Sequence, residues 1–335
     1  MTPARTRVLS IVGPGRSGTT ILGNILGEVE GVTNAGELRW LWRRGLLERR
    51  PCGCGLPPAQ CPRWSAVLDR VWRQRSLDAR ADAPAAIGSV LSAQREVLLR
   101  RNRVRAIASA RQRDTTWEAL RCMRDVTALL CTSLAEVTES RLIVDTSKLA
   151  HLAAPLAGAD EIDHYVLHIV RDPRAVAFSW RRPKPLPVSS GHTTMATQGT
   201  RTSVGFWTEN CVGAEMLRRR VPPHRWLFLR YEDFVANPRP HVERVLDFVS
   251  VPADGPFVTG DTVRLGTNHT LAGNPNRFRT GLVRISDDDE WRSRMSPRDQ
   301  RVIAAVTLPF LLRYGYPIRP ARTGAVTRAR SGPPA

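Results

Sequence analysis

Short apolar runs alternate with longer amphipathic stretches along this chain. Four runs, at 8–12, 142–144, 165–170 and 226–229, are continuously apolar, as expected of strands buried on both faces. Between them, apolar residues recur every three or four positions in 62–75, 85–110 and 116–138, which predicts helices. This succession predicts an α/β fold, with a central parallel sheet flanked by helices and a helical insertion.

Length and local composition predict the domain organisation. We expect residues 1–318 to form a single α/β domain whose helical lobe spans about 40–140. Residues 319–335 are rich in Pro, Gly and Arg, and predict a disordered basic tail. The Pro-, Ser-, Gly- and Thr-rich stretch 182–200 is typical of a long functional loop, such as a lid.

The formal charge of +19 suggests an anionic partner. However, all but two of the 50 basic residues are arginine, and they are dispersed among Ala, Pro and Gly. No basic run interleaved with aromatic residues marks a nucleic-acid track, so we expect no nucleic-acid partner. There is neither a secretory signal nor an apolar run near the roughly 20 residues of a membrane helix. A cytoplasmic protein without a membrane span is therefore predicted, its six cysteines reduced.

The most informative motif is Gly-Pro-Gly-Arg-Ser-Gly-Thr-Thr at 13–20, between an apolar run and a helical pattern. It has the Walker A spacing, but Thr19 stands where that motif has lysine. A loop opening a helix offers free N–H groups to an anion, and Arg16 adds a guanidinium suited to a phosphate or sulfonate edge. The sheet is thus expected to be of P-loop type. The alternative is an ordinary strand–loop–helix turn.

A second anion site is predicted after the strand at 165–170. Arg171 leaves the carboxyl end of that strand, and Pro173 is placed to begin a helix. Ser179 lies about two turns into this helix and can face the same crevice. Alternatively, Arg171 simply pairs with Asp172 or caps a neighbouring segment.

Together, these two segments resemble the sulfotransferases that use 3′-phosphoadenosine 5′-phosphosulfate (PAPS), in their bacterial, carbohydrate/tyrosylprotein-like branch. The segment 229–233, Leu-Arg-Tyr-Glu-Asp, resembles a strand-end motif of the family. The resemblance implies that PAPS is the co-substrate and that Arg171 and Ser179 hold its 3′-phosphate. It also implies a phosphosulfate loop composed of Arg16, Ser17, Gly18, Thr19 and Thr20.

A third loop, at 268–281, is similar to the C-terminal cofactor loop of bacterial members. On that similarity Arg277 and Arg279 are predicted to bind the cofactor, although their spacing is looser than the family's R-K-G. A plain surface loop is the alternative for either arginine.

Sulfuryl transfer needs a base for the acceptor hydroxyl and cations for the moving group. The resemblance favours Glu37 as base, with a carboxylate satisfying a helix dipole as the alternative. Histidine is the base in another branch, which keeps His151 and His269 open, whereas His168 lies in an apolar strand and predicts a core residue. Lys148 is predicted to hold the transferring sulfonate, unless it pairs with Asp145 or begins a helix.

Cys52, Cys54 and Cys61 have metal-like spacing, but no fourth ligand is evident in the sequence and no metal is assigned. The leading hypothesis is a sulfotransferase that transfers a sulfuryl group from PAPS to a hydroxyl of a carbohydrate or hydroxylated metabolite, releasing adenosine 3′,5′-bisphosphate. The alternatives are a P-loop nucleotide kinase or NTPase and an arginine-rich nucleic-acid-binding protein. The sequence carries no readable motif for the acceptor or for the oligomeric state.

Overall fold

The computed structural model describes residues 5–75, 82–109, 116–183, 185, 194–252 and 254–319. Its strands are β1 (Thr6–Val12), β2 (Val32–Gly36), β3 (Leu142–Lys148), β4 (Ile162–Val170), β5 (Trp226–Arg230), β6 (Thr262–Leu265) and β7 (Gly281–Arg284). Its α-helices are α1 (Thr19–Leu26), α2 (Pro62–Gln74), α3 (Ala83–Leu98), α4 (Arg100–Ala108), α5 (Glu118–Thr138), α6 (Ala150–Ala153), α7 (Pro173–Arg181), α8 (Thr200–Arg218), α9 (Tyr231–Ala236), α10 (Pro238–Phe248), α11 (Trp291–Arg294), α12 (Pro297–Val306) and α13 (Leu308–Arg313).

Five parallel strands form the central sheet in the order β2-β3-β1-β4-β5, which confirms the predicted fold class. All four predicted strands are present. Because the strands are parallel, their carboxyl ends meet at one edge, where α/β sheets bind ligands. The loops after β1, β3 and β4 therefore converge there. The strands β6 and β7 form a separate antiparallel hairpin.

Strand β2 was not predicted from the sequence. Three of its five residues, Asn34, Ala35 and Gly36, are poor strand formers, yet all five are buried at the sheet edge. Hydrogen bonds replace apolar packing there: the Thr33 hydroxyl bonds those of Thr138 and Ser140, and the Asn34 amide donates to Asn24. The polar strand is stable because its buried groups are paired.

The helices predicted at 62–75 and 116–138 correspond to α2 and α5. The single helix predicted over 85–110 was wrong, because the chain breaks at Leu99, whose ψ of 132° is extended. Side chains of α4 satisfy carbonyls near the end of α3: Asn102 donates to Glu96 O and Arg103 to Leu98 O. Such pairing makes the helix end stable without a glycine.

The helices α2, α3 and α5 pack together over one face of the sheet, and their core is continuous with Val8 and Ile143. On the other face, Leu9 and Ile11 pack against α1 and α10. The helical lobe therefore shares its core with the sheet, while the division into domain and tail stays a prediction. Residues 184 and 186–193 of the predicted loop at 182–200, and the tail from 320 onward, lie outside the described residues.

No helix within the described ranges combines the length and the apolar character that crossing a bilayer requires.

Candidate active site

A cavity of about 820 Å³ opens at the carboxyl edge of the sheet. The loops after β1, β3 and β4 line it, together with the segment after β2 and the loop between β6 and β7. Of the predicted site residues, the structure brings nearly all to this one cavity: Arg16, Gly18, Thr19, Thr20, Glu37, Lys148, Arg171, Ser179, Arg277 and Arg279. Ser17 lies beneath its wall, fully buried.

The phosphate loop reaches helix α1 through backbone conformations that glycine favours. Gly18 has a φ of +79°, and a Cβ there would lie 2.4 Å from the ring of Tyr231, so the loop approaches the start of α9 closely. Arg16 also has a positive φ, +68°. For a residue other than glycine this costs on the order of 1–3 kcal/mol and is found mainly at functional sites.

Donor groups of this loop are buried without partners. Arg16 Nε and Nη2 and Ser17 Oγ have no hydrogen-bond acceptor among the residues that the structure describes. The Arg16 guanidinium stacks on Trp180 at 4.4 Å from the ring centroid. Burial, together with repulsion from Arg182, lowers the pKa of Arg16 to about 10, so it stays charged at neutral pH. A buried cation with unused hydrogen-bond donors favours the binding of an anion.

Arg171 faces the same loop from the end of β4. It is 5 % exposed, and its Nη1 donates to the Arg16 carbonyl at 3.3 Å. Its Nη2 donates to Asp288 O at 2.7 Å, and Nε has no acceptor within the described part of the chain. Ser179 is buried in the adjoining wall.

The predicted pairing of Arg171 with Asp172 does not occur. Asp172 instead pairs with the fully buried Arg174, at 2.6 Å, and accepts from the Arg174 amide as the N-cap of α7. The Nη2 atom of Arg171 instead lies 3.7 Å from the Asp288 carboxylate, and Arg171 lines the cavity.

Glu37 and Lys148 form an ion pair at the ends of β2 and β3, on the side of the phosphate loop opposite Arg171. Lys148 Nζ donates to Glu37 Oε1 at 2.6 Å. The other carboxylate oxygen, Oε2, accepts from Trp40 Nε1 at 3.0 Å and from Arg39 Nη2 at 3.4 Å. Both side chains are largely buried, at 9 % and 14 % exposure. Two predicted catalytic groups, 111 residues apart in sequence, thus touch.

Opposing influences act on the pKa of each partner. Burial by itself raises the pKa of Glu37, but Lys148, Arg39 and Arg44 together outweigh it and hold the pKa below its ordinary value. Burial lowers the pKa of Lys148, and Glu37 offsets only part of this effect. At neutral pH the carboxylate is therefore ionised and ready to accept a proton.

Asp145, the alternative partner of Lys148, points elsewhere. It accepts from the Leu38 amide and from both the amide and hydroxyl of Ser147, and burial raises its pKa to about 6. These bonds hold the segment after β2 against β3 and so position Glu37. Lys148 itself ends β3 with a φ of +73°, a second non-glycine outlier at the cavity.

The two arginines of the third loop differ. Arg277 is buried, and its Nη atoms donate to Thr270 O and Pro51 O, each at 2.6 Å. Its donors thus tie loops together, which favours a structural role over the predicted cofactor contact. Arg279 is exposed at the cavity rim.

No histidine in the described ranges lines the cavity. His168 is fully buried among the rings of Trp226, Phe228 and Tyr314, as its apolar strand predicted. His151 is buried outside the cavity, and His269 faces a group of cysteines. Position therefore leaves Glu37 as the candidate base.

Sequence reasoning missed several lining residues. Arg39 and Arg44 both stack on Trp40, at 4.1 and 3.7 Å, beside Glu37. Tyr231 lies under the Arg171 guanidinium, at 4.5 Å. The Arg-Trp-Leu-Trp-Arg-Arg run at 39–44 does interleave basic and aromatic residues, contrary to our prediction that the chain has no such run, and arginines among tryptophans suit an anionic or ring-bearing ligand.

The sulfotransferase family profile matches residues 9–255, which is more than half of the chain. The chain belongs to the sulfotransferase family. This confirms the resemblance based on residues 13–20, Arg171 and Ser179, and it identifies the protein as an enzyme. No curated protein matches the chain significantly.

Distant likenesses to solved sulfotransferase structures accompany the family match. The sulfotransferase domain from the curacin biosynthetic pathway is 17% identical, with a TM-score of 0.47, and the match covers 94% of this chain and 99% of that one. The sulfotransferase domain of the Synechococcus PCC 7002 olefin synthase is 19% identical, with a TM-score of 0.45, and the match covers 94% and 96% of the two chains.

Proposed function

We propose that this sulfotransferase transfers a sulfuryl group from PAPS to a hydroxyl acceptor and releases adenosine 3′,5′-bisphosphate. One observation carries the proposal. Two anion sites with unused buried donors, one at Arg16 and Ser17 after β1 and one at Arg171 after β4, follow the Glu37–Lys148 pair at the ends of β2 and β3 along the sheet edge that forms the cavity. A sulfuryl donor that carries phosphates at both ends of its ribose matches two separated anion sites. A nucleoside triphosphate, in contrast, needs the Walker lysine that this loop lacks.

The residues present fit such a donor. The amides that open α1 and the side chains of Arg16 and Ser17 would hold the 5′-phosphosulfate. Arg171 and Ser179 would hold the 3′-phosphate, and Arg279 would approach from the rim. PAPS, when bound, supplies the sulfuryl group and a phosphate leaving group.

Glu37 and Lys148 divide the remaining chemistry. Glu37 accepts the proton of the acceptor hydroxyl, whose oxygen forms the new bond to sulfur as the bond to the bridging oxygen breaks. The departing phosphate keeps the electron pair, and the Lys148 ammonium stabilises the charge that develops on it. Trp40 and Arg39 hold the carboxylate in position through Oε2.

Titration of the full-length protein with adenosine 3′,5′-bisphosphate tests the donor, with AMP and magnesium–ATP as comparison ligands. We expect the bisphosphate to bind most tightly, because only it engages both anion sites. Transfer of label from radioactive PAPS to an acceptor panel tests the reaction. Preference for magnesium–ATP, or no bisphosphate binding at high micromolar concentration, would contradict the proposal.

The pH dependence of kcat/KM should show a plateau through neutrality. Glu37 has a lowered pKa, so activity is lost only as pH falls below its ordinary value of 4.5. Lys148 has a lowered pKa too, so activity declines as pH rises, beginning below the ordinary 10.5. An acidic limb near pH ~6.5, the ordinary histidine value, would instead indicate a histidine base.

The acceptor side of the cavity is cationic. Arg39 and Arg44 lie beside Glu37, and the pKa of Arg44 is lowered by burial and by its arginine neighbours against the pull of Glu37. Arg50 also lines this wall. We infer that the acceptor is a hydroxylated carbohydrate or metabolite that carries a negative charge, because the three guanidiniums outnumber the carboxylates of Glu37 and Glu48 with which two of them pair.

Replacing Arg44 with alanine should therefore raise KM for an anionic acceptor by about 10-fold, in line with the loss of one charged hydrogen bond. The KM for PAPS should stay unchanged. Arg43→Ala is the matched control, since that neighbouring side chain is exposed and does not line the cavity. If neutral acceptors have a higher kcat/KM than anionic ones, and Arg44→Ala does not change the KM for anionic acceptors, the proposed charge of the acceptor is wrong.

Cytoplasmic location and the lack of a nucleic-acid partner stay predictions.

A further inference from the structure

Three cysteines and one histidine meet outside the cavity. Cys52 and Cys54 lie in the loop before α2, Cys61 precedes the first residue of α2, and His269 follows β6. One ligand atom from each lies within 4.8 Å of every other. The histidine is more than 200 residues from the cysteines in sequence, so the fold alone assembles this group.

The spacing of the ligand atoms suits a tetrahedral metal ion. Cys52 Sγ lies 3.4 Å from Cys54 Sγ and 3.7 Å from Cys61 Sγ. His269 Nδ1 lies 3.9 Å from Cys52 Sγ and 3.1 Å from Cys61 Sγ. Around a tetrahedral zinc with Zn–S bonds of about 2.3 Å, two sulfur ligands lie roughly 3.8 Å apart. A sulfur and a nitrogen ligand lie at a comparable distance from each other. The sulfurs are too far apart for disulfides, whose S–S distance is about 2.05 Å.

Backbone amides approach the cysteine sulfurs, but burial raises the pKa of Cys52 and Cys61, so a bound cation would be needed to hold these two as thiolates at neutral pH. Backbone amides hydrogen-bond the three sulfurs: that of Cys54 bonds Cys52, that of Leu56 bonds Cys54, and that of Trp64 bonds Cys61. Such N–H donors stabilise the ionised sulfur that a metal requires. Trp64 Nε1 also donates to the His269 carbonyl at 2.7 Å, which orients the histidine toward the cysteines.

The two loops that carry the four ligands contact each other directly through their backbones. The Gly53 amide donates to Thr270 O at 3.0 Å. A Cβ on Gly53 would lie 2.0 Å from Asn268 Oδ1, so this approach requires glycine. Contact between the loops is thus independent of the ligand atoms.

We propose that Cys52, Cys54, Cys61 and His269 bind one zinc ion in a closed structural site. Three thiolates and an imidazole form a donor set of structural zinc, and soft sulfur ligands disfavour magnesium and calcium. With four protein ligands the metal keeps no open position, so it takes no part in sulfuryl transfer. This proposal does not depend on the identity of the donor.

The zinc would hold two loops in place at the active site. The loop after His269 places Leu271 against β2, where Leu271 accepts from the Glu37 amide at 2.7 Å. Arg277 bonds Pro51, next to Cys52. The Glu37 backbone is thereby connected to the metal ligands through one loop, and loss of zinc should loosen the base as well as the fold.

Metal analysis of the full-length protein, purified under reducing conditions, tests the site. We expect about one zinc ion per chain in the wild type. In Cys61→Ser and in His269→Ala the zinc content should fall below about a tenth of an ion per chain, because each variant removes one of four ligands. Cys122→Ser is the matched control and should keep its zinc, because Cys122 lies on α5 away from the cluster. His269→Cys should also retain zinc, since four thiolates form a complete set.

Two further measurements do not rely on variants that fail to fold. Cobalt added to metal-stripped wild-type protein should give the visible absorption of a tetrahedral thiolate site, and zinc should displace it. Chelation should lower the thermal midpoint, and zinc should restore it. Zinc-free wild-type protein that gains no such absorption, bound iron in place of zinc, or a Cys52–Cys54 disulfide found by mass spectrometry would overturn the proposal.

Discussion

Replacing Glu37 with glutamine is expected to lower kcat by about 10²- to 10⁴-fold, the usual contribution of a positioned general base. Glutamine keeps the shape and can still bond Trp40 and Arg39, but it cannot accept the acceptor proton. Adenosine 3′,5′-bisphosphate should bind with a Kd close to that of the wild type, because both proposed phosphate sites remain intact. Single-turnover transfer from PAPS and calorimetric titration measure the two quantities separately.

The substitution also removes the partner of Lys148, so folding must be checked by thermal melting alongside activity. Glu30→Gln is the matched control: it removes an exposed carboxylate from the turn before β2 and should leave kcat unchanged. Full turnover in Glu37→Gln would show that another group takes the proton. A parallel loss of bisphosphate affinity would instead assign Glu37 to binding.

Replacing Arg171 with alanine should weaken adenosine 3′,5′-bisphosphate binding by about 10- to 100-fold, the effect of losing charged hydrogen bonds of roughly 1.5–3 kcal/mol. We expect this loss because Arg171 would contact the 3′-phosphate and no other part of the ligand. The wild type should therefore bind the bisphosphate more tightly than AMP, and Arg171→Ala should remove this preference. Arg171→Lys should recover only part of it, because an ammonium lacks the planar fork.

Arg181→Ala is the control for this experiment, since Arg181 ends α7, the helix that follows Arg171, but is exposed and pairs with Asp299. Its ligand preference should match the wild type. If Arg171→Ala weakens AMP and the bisphosphate equally, Arg171 acts on the 5′ side or on the fold. The assignment of the 3′-phosphate would then be wrong.

Local motifs explain why much of this protein was predictable. The phosphate loop and the Arg171–Ser179 pair each lie within a few residues of one strand–helix junction, so adjacent sequence encodes both the backbone and its chemistry. The apolar strands were predicted because continuous burial leaves a continuous apolar run. Strand β2 escaped because hydrogen bonds among Thr33, Asn34 and their neighbours replace the apolar signal.

The sequence alone determined the sheet's buried strands, the lysine-free phosphate loop and the second cation, which together identified the family. Tertiary structure decided that Lys148 pairs with Glu37 rather than Asp145, and that Arg277 ties loops together. It also brought His269 to the three cysteines. Each of these contacts joins segments that are distant along the chain but adjacent at the carboxyl edge of the sheet. Strand order creates that proximity, and residue spacing carries no record of it.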